Sequence, residues 1–296
     1  MSTFVLVLAT GLSVGALYYL LASGLSLIFG LMDVLSFAHG ALLTFSAYAA
    51  ILAVGWFDTP TFAGLFVAML VSTLVGGAVA YVIERTLVRP MYERGHLSQL
   101  LVTMGVGLVL IAAVTIGFGP DVKSMPLPDQ ISSSFGLGGA LIPVSAVTTI
   151  AAALLVHLAL MTFLGRTRHG LIVRAGVDNS DMVRGLGVDV ARSFALVFVI
   201  GGMAAGLAGT LALVYVRAAT PHLGDTYLIY AFIVIVIGGI GSLPGTLFAA
   251  ALVGLTQQLA NQYITGGSGD LLVLVLLALV LLVRPQGIFG KTRRTV

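Results

Sequence analysis

The sequence contains no cysteine, which excludes disulfides, thiolate metal ligands, iron–sulfur clusters and cysteine nucleophiles. Charge is also scarce, because Asp, Glu, Lys and Arg make up 8% of the 296 residues, against about 25% in a soluble domain. A disordered chain is excluded for the same reason, since disorder requires a polar, charge-rich composition. Hydrophobic residues reach 59% and the mean hydropathy is +1.12. The composition therefore predicts a membrane protein with several spans.

Long windows without charged residues divide the chain into helices, each near the roughly 20 residues that cross a bilayer. We expect an all-α bundle of eight or nine crossings that forms one transmembrane domain over residues 1–296. The first span has no basic leader and is too long for a signal peptide, so we expect it to be retained. The candidate helices are Thr3–Phe29, Ser36–Trp56, Thr61–Ile83, His96–Phe118, Ala140–Leu164, Ser193–Val216, Tyr227–Ile240, Gly245–Ile264 and Leu271–Val283.

The basic residues predict the orientation of these spans. One set of alternating loops holds 12 of the 14 Lys and Arg residues, and the opposite loops hold only Lys123 and Arg217. Basic loops remain cytoplasmic. With nine crossings, the N-terminus lies outside and the C-terminus inside.

The longest polar stretch is the cytoplasmic loop 165–192, which contains a short helix signature. Asp178 or Ser180 can cap its N-terminus, and Gly185 and Gly187 can end it. A helix of about eight residues is only about 12 Å long, too short to cross a bilayer. Two interpretations remain open on these residues alone: docking into a groove of a soluble partner, or lying on the lipid surface.

Several classes of site are missing from the sequence. It has no G-x-x-x-x-G-K-[ST] phosphate loop, no zinc-ligand spacing and no nucleophile or paired-carboxylate arrangement typical of hydrolysis. We therefore expect no catalytic residues, no metal and no cofactor in this chain.

Two breaks interrupt the helical pattern on the cytoplasmic side, and they resemble weak internal repeats over Leu27–Leu42 and Ile235–Leu247. Irregular backbone at a membrane is tolerated where it is buried in protein or lines a cavity. The residues in the breaks are therefore candidates for a translocation path or gate, with a purely structural turn as the alternative. They are Asp33, Ser36, His39 and Gly40 in the first break, and Gly238, Gly239, Gly241, Pro244 and Gly245 in the second.

Isolated polar and small residues within the spans suggest packing rather than chemistry. His157 stands alone on an apolar helix, and Gln257 and Asn261 share a helical face on which they can bond neighbouring helices. A face of small residues also suits close helix packing; its members are Gly201, Gly202, Gly206 and Gly209.

Five segments, in order, resemble the permease subunits of branched-chain amino acid ABC importers, and most closely the leucine/isoleucine/valine H-type permeases. At Asp33 the sequence departs from that pattern, which usually has Asn there. The segments are Gly30–Gly40, Ile83–Pro90, Met182–Asp189, Val236–Gly245 and Arg284–Gly290.

The resemblance implies a permease in a prokaryotic inner membrane, paired with a second homologous permease, two cytoplasmic ATPases and an extracytoplasmic solute-binding protein. The binding protein is expected to dock on outer loops that include Pro120–Ser134 and Arg217–Thr226. The implied ATPase-coupling residues are Asp178, Asn179, Asp181, Met182, Arg184, Gly185, Leu186 and Gly187.

The implied cargo is a branched-chain or related hydrophobic amino acid. Related permeases carry urea, short amides or aromatic acids, and these remain alternatives. A further alternative is a proton-coupled secondary transporter, with Asp33 and His39 as its relay.

Overall fold

A computed structural model of the chain describes residues 2–32, 34–57, 59–92, 94–137, 139–178, 190–264 and 267–290. The protein is mostly helical, as the composition predicts. The elements are α1 (Ser2–Met32), α2 (Ala38–Val54), α3 (Phe62–Ile83), α4 (His96–Phe118), α5 (Asp129–Ser132), β1 (Ser134–Leu137), β2 (Ala140–Pro143), α6 (Val144–Arg166), α7 (Arg168–Asp178), α8 (Val190–Val216), α9 (Leu223–Gly238), α10 (Leu243–Tyr263) and α11 (Ser268–Val283).

Six helices within the described residues are long and apolar enough to cross a bilayer: α1, α3, α4, α6, α8 and α10. Three shorter apolar helices, α2, α9 and α11, have 16 or 17 residues each. The predicted helices at Tyr227 and Leu271 both begin earlier in the structure, at Leu223 and Ser268.

The core of the bundle lies around α1 and α8, whose most apolar windows are 61% and 78% buried. α1 packs along α10, and α3 packs along α8. In contrast, the corresponding windows of α4 and α6 are only 17% buried, which places these two helices at the periphery of the chain.

The glycine face predicted on α8 is confirmed as a close-packing surface. A Cβ added at Gly201 would lie 2.8 Å from a methyl carbon of Ile28 in α1, and one at Gly202 would lie 2.6 Å from the carbonyl oxygen of Gly76 in α3. Gly206 packs against Ser72 of α3, and Gly209 packs against α2. Helices in lipid gain no hydrophobic energy by associating, so such close backbone contact supplies the packing energy.

Two elements depart from the predicted pattern. The segment expected to begin a helix at Ala140 is instead the second strand of a hairpin, in which Phe135 pairs with Ile142. Helix α6 starts only after Pro143, which has no N–H and a fixed φ, so it suits the residue just before a helix. The other departure is α7, an 11-residue helix inside the stretch read as a polar loop.

Helix α3 does not end cleanly at Ile83. It continues as a π-helical turn over Glu84–Val88 and then as a 3₁₀ turn over Arg89–Met91. Pro90 cannot donate the backbone hydrogen bond that an α-helix would need there, so the regular helix cannot continue through this motif.

Candidate functional site

The first predicted break is present between α1, which ends at Met32, and α2, which begins at Ala38. The hydroxyl of Thr103 in α4 supports the backbone of this break. Its Oγ1 accepts a hydrogen bond from the Phe37 amide at 3.2 Å and lies 3.2 Å from the carbonyl oxygen of Leu35. Backbone groups released from a helix inside a membrane need such partners, so α4 helps to hold the break open.

Two candidate path residues in this break are fully buried. Ser36 and His39 are both 0% exposed, and neither the serine hydroxyl nor either ring nitrogen has a hydrogen-bond partner among the described residues. The His39 ring lies against α1, where a Cβ added at Gly24 would be 2.8 Å from Nε2. An unsatisfied buried polar group costs about 1–3 kcal/mol. Asp33, the third polar candidate, lies outside the described residues.

Gly40, at the start of α2, contacts the start of α9 through the backbone. A Cβ added at Gly40 would lie 2.7 Å from the carbonyl oxygen of Gly224. The Gly224 amide donates a 2.8 Å hydrogen bond to the Thr44 hydroxyl. This path candidate therefore joins two of the shorter apolar helices directly.

The second break is the turn between α9 and α10. Gly239 and Gly241 have φ values of 96° and 78°, a region that residues with a Cβ rarely adopt. Ser242 caps α10, because its Oγ accepts a 3.2 Å hydrogen bond from the amide of Gly245. The predicted break is confirmed, and its glycines serve the turn geometry. The predicted residues that lie in or beside this turn are Gly238, Gly239, Gly241, Pro244 and Gly245.

The two breaks contact each other. Gly30, near the end of α1, packs so closely on Gly241 that an added Cβ would overlap the Cα of Gly241. Close by, the hydroxyl of Thr246 donates a 3.2 Å hydrogen bond to that of Ser26 in α1.

The C-terminal motif packs against the same turn. The amides of Ile288 and Phe289 donate hydrogen bonds of 2.8 and 3.1 Å to the carbonyl oxygens of Ile237 and Gly238. We refer to this contact of Gly30, the turn 238–245 and the segment 284–290 as the glycine junction. Three segments far apart in sequence thus meet through their backbones.

Helix α7 leads into the proposed coupling segment. The hydroxyl of Thr167 caps it by accepting a 3.1 Å hydrogen bond from the Gly170 amide. Val173 is fully buried, and α7 contacts α6, α8 and α1. Asp178 is the last residue of α7. The other coupling residues lie outside the described ranges: Asn179, Asp181, Met182, Arg184, Gly185, Leu186 and Gly187.

The motif after α3 contains a buried acid. Glu84 is 0% exposed, and its Oε1 accepts a 2.6 Å hydrogen bond from the hydroxyl of Tyr92. Burial and the neighbouring Glu84 carboxyl both raise the pKa of Tyr92, so its phenol remains a donor. Gln99 of α4 donates a 3.1 Å hydrogen bond to the carbonyl oxygen of Met91. These contacts fix the connection between α3 and α4.

A polar network that the sequence did not predict as a group joins four helices. Gln257 of α10 accepts a 2.7 Å hydrogen bond from the hydroxyl of Tyr18 in α1, and its Nε2 lies 2.9 Å from the Tyr230 hydroxyl. Tyr230 donates in turn to the Asp270 carboxylate of α11 at 2.6 Å. The rings of Tyr18 and Tyr230 stack with centroids 4.5 Å apart. The interpretation of Gln257 as a residue that bonds neighbouring helices is confirmed.

We expect Gln257→Leu to lower the free energy of unfolding by about 1–3 kcal/mol, because the buried hydroxyl of Tyr18 loses its acceptor. The measurement is the thermal unfolding midpoint of the purified protein in detergent. The matched control is Gln262→Leu on the same helix, where the side chain is exposed. Equal midpoints for the two variants would contradict the structural role of Gln257.

The other two isolated polar residues also pack as predicted. The Nδ1 atom of His157 lies 2.7 Å from the hydroxyl of Tyr19. Asn261 accepts a 2.9 Å hydrogen bond from the Gly269 amide at the start of α11. Within the described ranges, no group of three His, Asp or Glu side chains is arranged to hold a metal ion.

The two loops expected to dock a binding protein contact each other. Lys123 and Ala219 form an antiparallel bridge, in which each backbone amide donates to the carbonyl oxygen of the other at 2.9 and 2.7 Å. Beside it, His222 and Asp225 form an exposed pair at 2.9 Å. The loops therefore form one continuous surface.

Comparison with known proteins identifies the family. Residues 7–284 match the family model of the branched-chain amino acid transport system permease component. The chain is 30% identical to the high-affinity branched-chain amino acid transport system permease protein BraD of Pseudomonas aeruginosa, over 96% of this chain and 95% of BraD. It is also 30% identical to the permease protein LivH of Salmonella typhimurium, over 95% of this chain and 94% of LivH.

The fold has a counterpart among solved structures. A metal-chelate type ABC transporter in an inward-facing conformation superposes with a TM-score of 0.50 and 19% identity, over 95% of this chain and 87% of that chain. At this identity the likeness concerns the fold alone. The family match and the two relatives, which cover nearly the whole chain, show that it belongs to the permease components of branched-chain amino acid transport systems.

Proposed function

We propose that this chain is a permease subunit of an ABC importer and forms part of the translocation path for branched-chain amino acids. The observation that carries the proposal is the 30% identity to named branched-chain amino acid permeases over nearly the full length of both chains. The whole chain, residues 1–296, acts as one transmembrane domain.

Energy comes from other subunits, because the sequence has no phosphate-binding loop. The complete importer contains a second homologous permease, two cytoplasmic ATPases and an extracytoplasmic binding protein. The continuous surface around Lys123 and Ala219 supports docking of the binding protein at the two outer loops.

The ATPases act on the segment that begins at Asp178 and ends at Gly187. Helix α7 leads directly into this segment and packs on α6, α8 and α1. A push on the segment is therefore passed to α1, whose end forms both the first break and part of the glycine junction. The ATPases must bind the two access states with different affinity for such a push to shift the equilibrium between them.

The gate lies in the first break, around Asp33, Ser36, His39 and Gly40. The unsatisfied ring of His39 and hydroxyl of Ser36 support this assignment, because a movement of α1 against α2 would change what these buried groups contact. The turn 238–245 serves as the rigid support against which the end of α1 moves.

The chain crosses the inner membrane nine times, with its N-terminus outside. The absence of cysteine allows a direct test, since a single introduced thiol is the only one present. In intact cells, a membrane-impermeant maleimide should label Ser124→Cys, at an exposed position in the outer loop. It should label Thr292→Cys only after the cells are permeabilised. The reverse pattern would contradict this orientation.

Purification tests the assignment to an ABC importer. The chain, tagged and extracted from its native membrane in mild detergent, should retain a second permease and ATPase subunits, and the complex should hydrolyse ATP. A chain that purifies alone, and still carries leucine across a membrane, would contradict the proposal.

A further inference from the structure

An apolar groove runs between α3 and α4. It has a volume of about 550 Å³. On the α3 side it is lined by Val79, Val82 and Leu87, and on the α4 side by Val102, Val106 and Leu110. Water needs two to four polar partners to occupy a cavity, and these side chains offer none. The groove therefore suits an apolar ligand.

The groove owes part of its room to Gly105, which also lines it. A Cβ added at Gly105 would have no atom within 4 Å. Other side chains of α4 stay exposed beside it, among them Leu101 at 58%, Leu108 at 60% and Val109 at 68%. Helix α4 thus presents a broad apolar surface, as a helix in contact with lipid does.

One end of the groove lies within a basic segment. Leu87 lines the groove, and Arg85 and Arg89 stand two residues to either side of it. Arg94 follows in the same connection between α3 and α4. Basic residues at the cytoplasmic edge of a membrane attract the phosphate groups of anionic lipids. The other lining residues lie deeper in the bundle, where an acyl chain would extend.

We propose that this groove binds an anionic phospholipid, with an acyl chain between α3 and α4 and the phosphate beside Arg85 and Arg89. The connection that carries these arginines is held by the Glu84, Tyr92 and Gln99 contacts, so the headgroup site is rigid before the lipid arrives. Bound lipid then stabilises the α3–α4 pair.

The test is native mass spectrometry of the purified full-length protein after exchange into an equal mixture of phosphatidylglycerol and phosphatidylcholine. The wild type should retain phosphatidylglycerol over phosphatidylcholine by about tenfold, the order expected for two arginines near an anionic headgroup. Arg85→Gln combined with Arg89→Gln should bring the ratio close to one. Arg166→Gln combined with Arg168→Gln, exposed positions on the same predicted side, should leave it unchanged.

A second pair of variants tests the acyl chain. Gly105→Leu fills the groove and should remove most of the retained lipid, whereas Gly117→Leu, on the same helix and also in open space, should not. Lipid retention unchanged by Gly105→Leu would overturn the proposal. So would loss of a co-purifying permease in that variant at unchanged lipid retention, because the groove would then hold a protein helix.

Discussion

Replacing Gly30 by valine should reduce uptake by the assembled importer by about tenfold or more. The new side chain would overlap the backbone of Gly241, which cannot retreat easily because its φ of 78° belongs to a tight turn. Overpacking of this kind costs about 1–3 kcal/mol, and a backbone contact lies at the upper end of that range. The measurements are the amount of monodisperse protein, its thermal midpoint in detergent and the uptake of labelled leucine.

The control for this change is Gly117→Val in α4. An added Cβ there meets no atom within 4 Å, although the helix, the residue type and the substitution are comparable. We expect wild-type uptake from Gly117→Val. A Gly30→Val protein with wild-type stability and uptake would show that the glycine junction is not a rigid contact.

Replacing Met182 and Leu186 together by alanine should abolish ATP-driven uptake while leaving membrane insertion unchanged. These residues are four apart and form the apolar side of the predicted coupling helix. Without this anchor the ATPases should no longer co-purify with the permease. The measurement is the ratio of ATPase to permease after purification, together with leucine uptake.

A matched pair of changes controls for the loss of apolar volume. Val275→Ala and Leu279→Ala are also four apart, and their side chains on α11 are 51% and 54% exposed. The double control variant should keep its ATPases and its uptake. Normal ATPase retention and normal uptake in the Met182/Leu186 variant would refute the proposed coupling role.

The positions of the long helices could be predicted because hydropathy alone dictates them. A charge-free apolar run has no alternative to a helix in lipid, so α4 is found with both predicted ends, His96 and Phe118. The starts of α9 and α11 were placed too late. Their first turns carry Gly, Asp and Thr or Ser, which resemble loop residues when no tertiary contact is known.

Amphipathic and strand-forming segments were harder to recognise. Helix α7 has three basic residues within 11, and such a polar composition also suits a loop. The hairpin 134–143 is short, glycine-rich and continuous with an apolar run, so its period-2 pattern could not be separated from the start of a helix.

The contacts within the candidate site could be predicted only in part. The breaks were visible as clusters of glycine, proline and polar residues. Their contact through Gly30 and Gly241 was not, since residues 211 positions apart carry no local signal of pairing. Thr103 was missed for the same reason, because a threonine in an apolar helix usually bonds its own backbone and only the fold brings it to the break.

The central claim is that this chain is a passive path driven by separate ATPases. The most direct measurement is uptake of labelled leucine into liposomes that contain either the complete importer with its binding protein or this chain alone. We expect ATP-dependent uptake by the complete importer, and none by the isolated chain under a proton gradient. Uptake by the isolated chain, driven by the proton gradient without ATP, would contradict the claim.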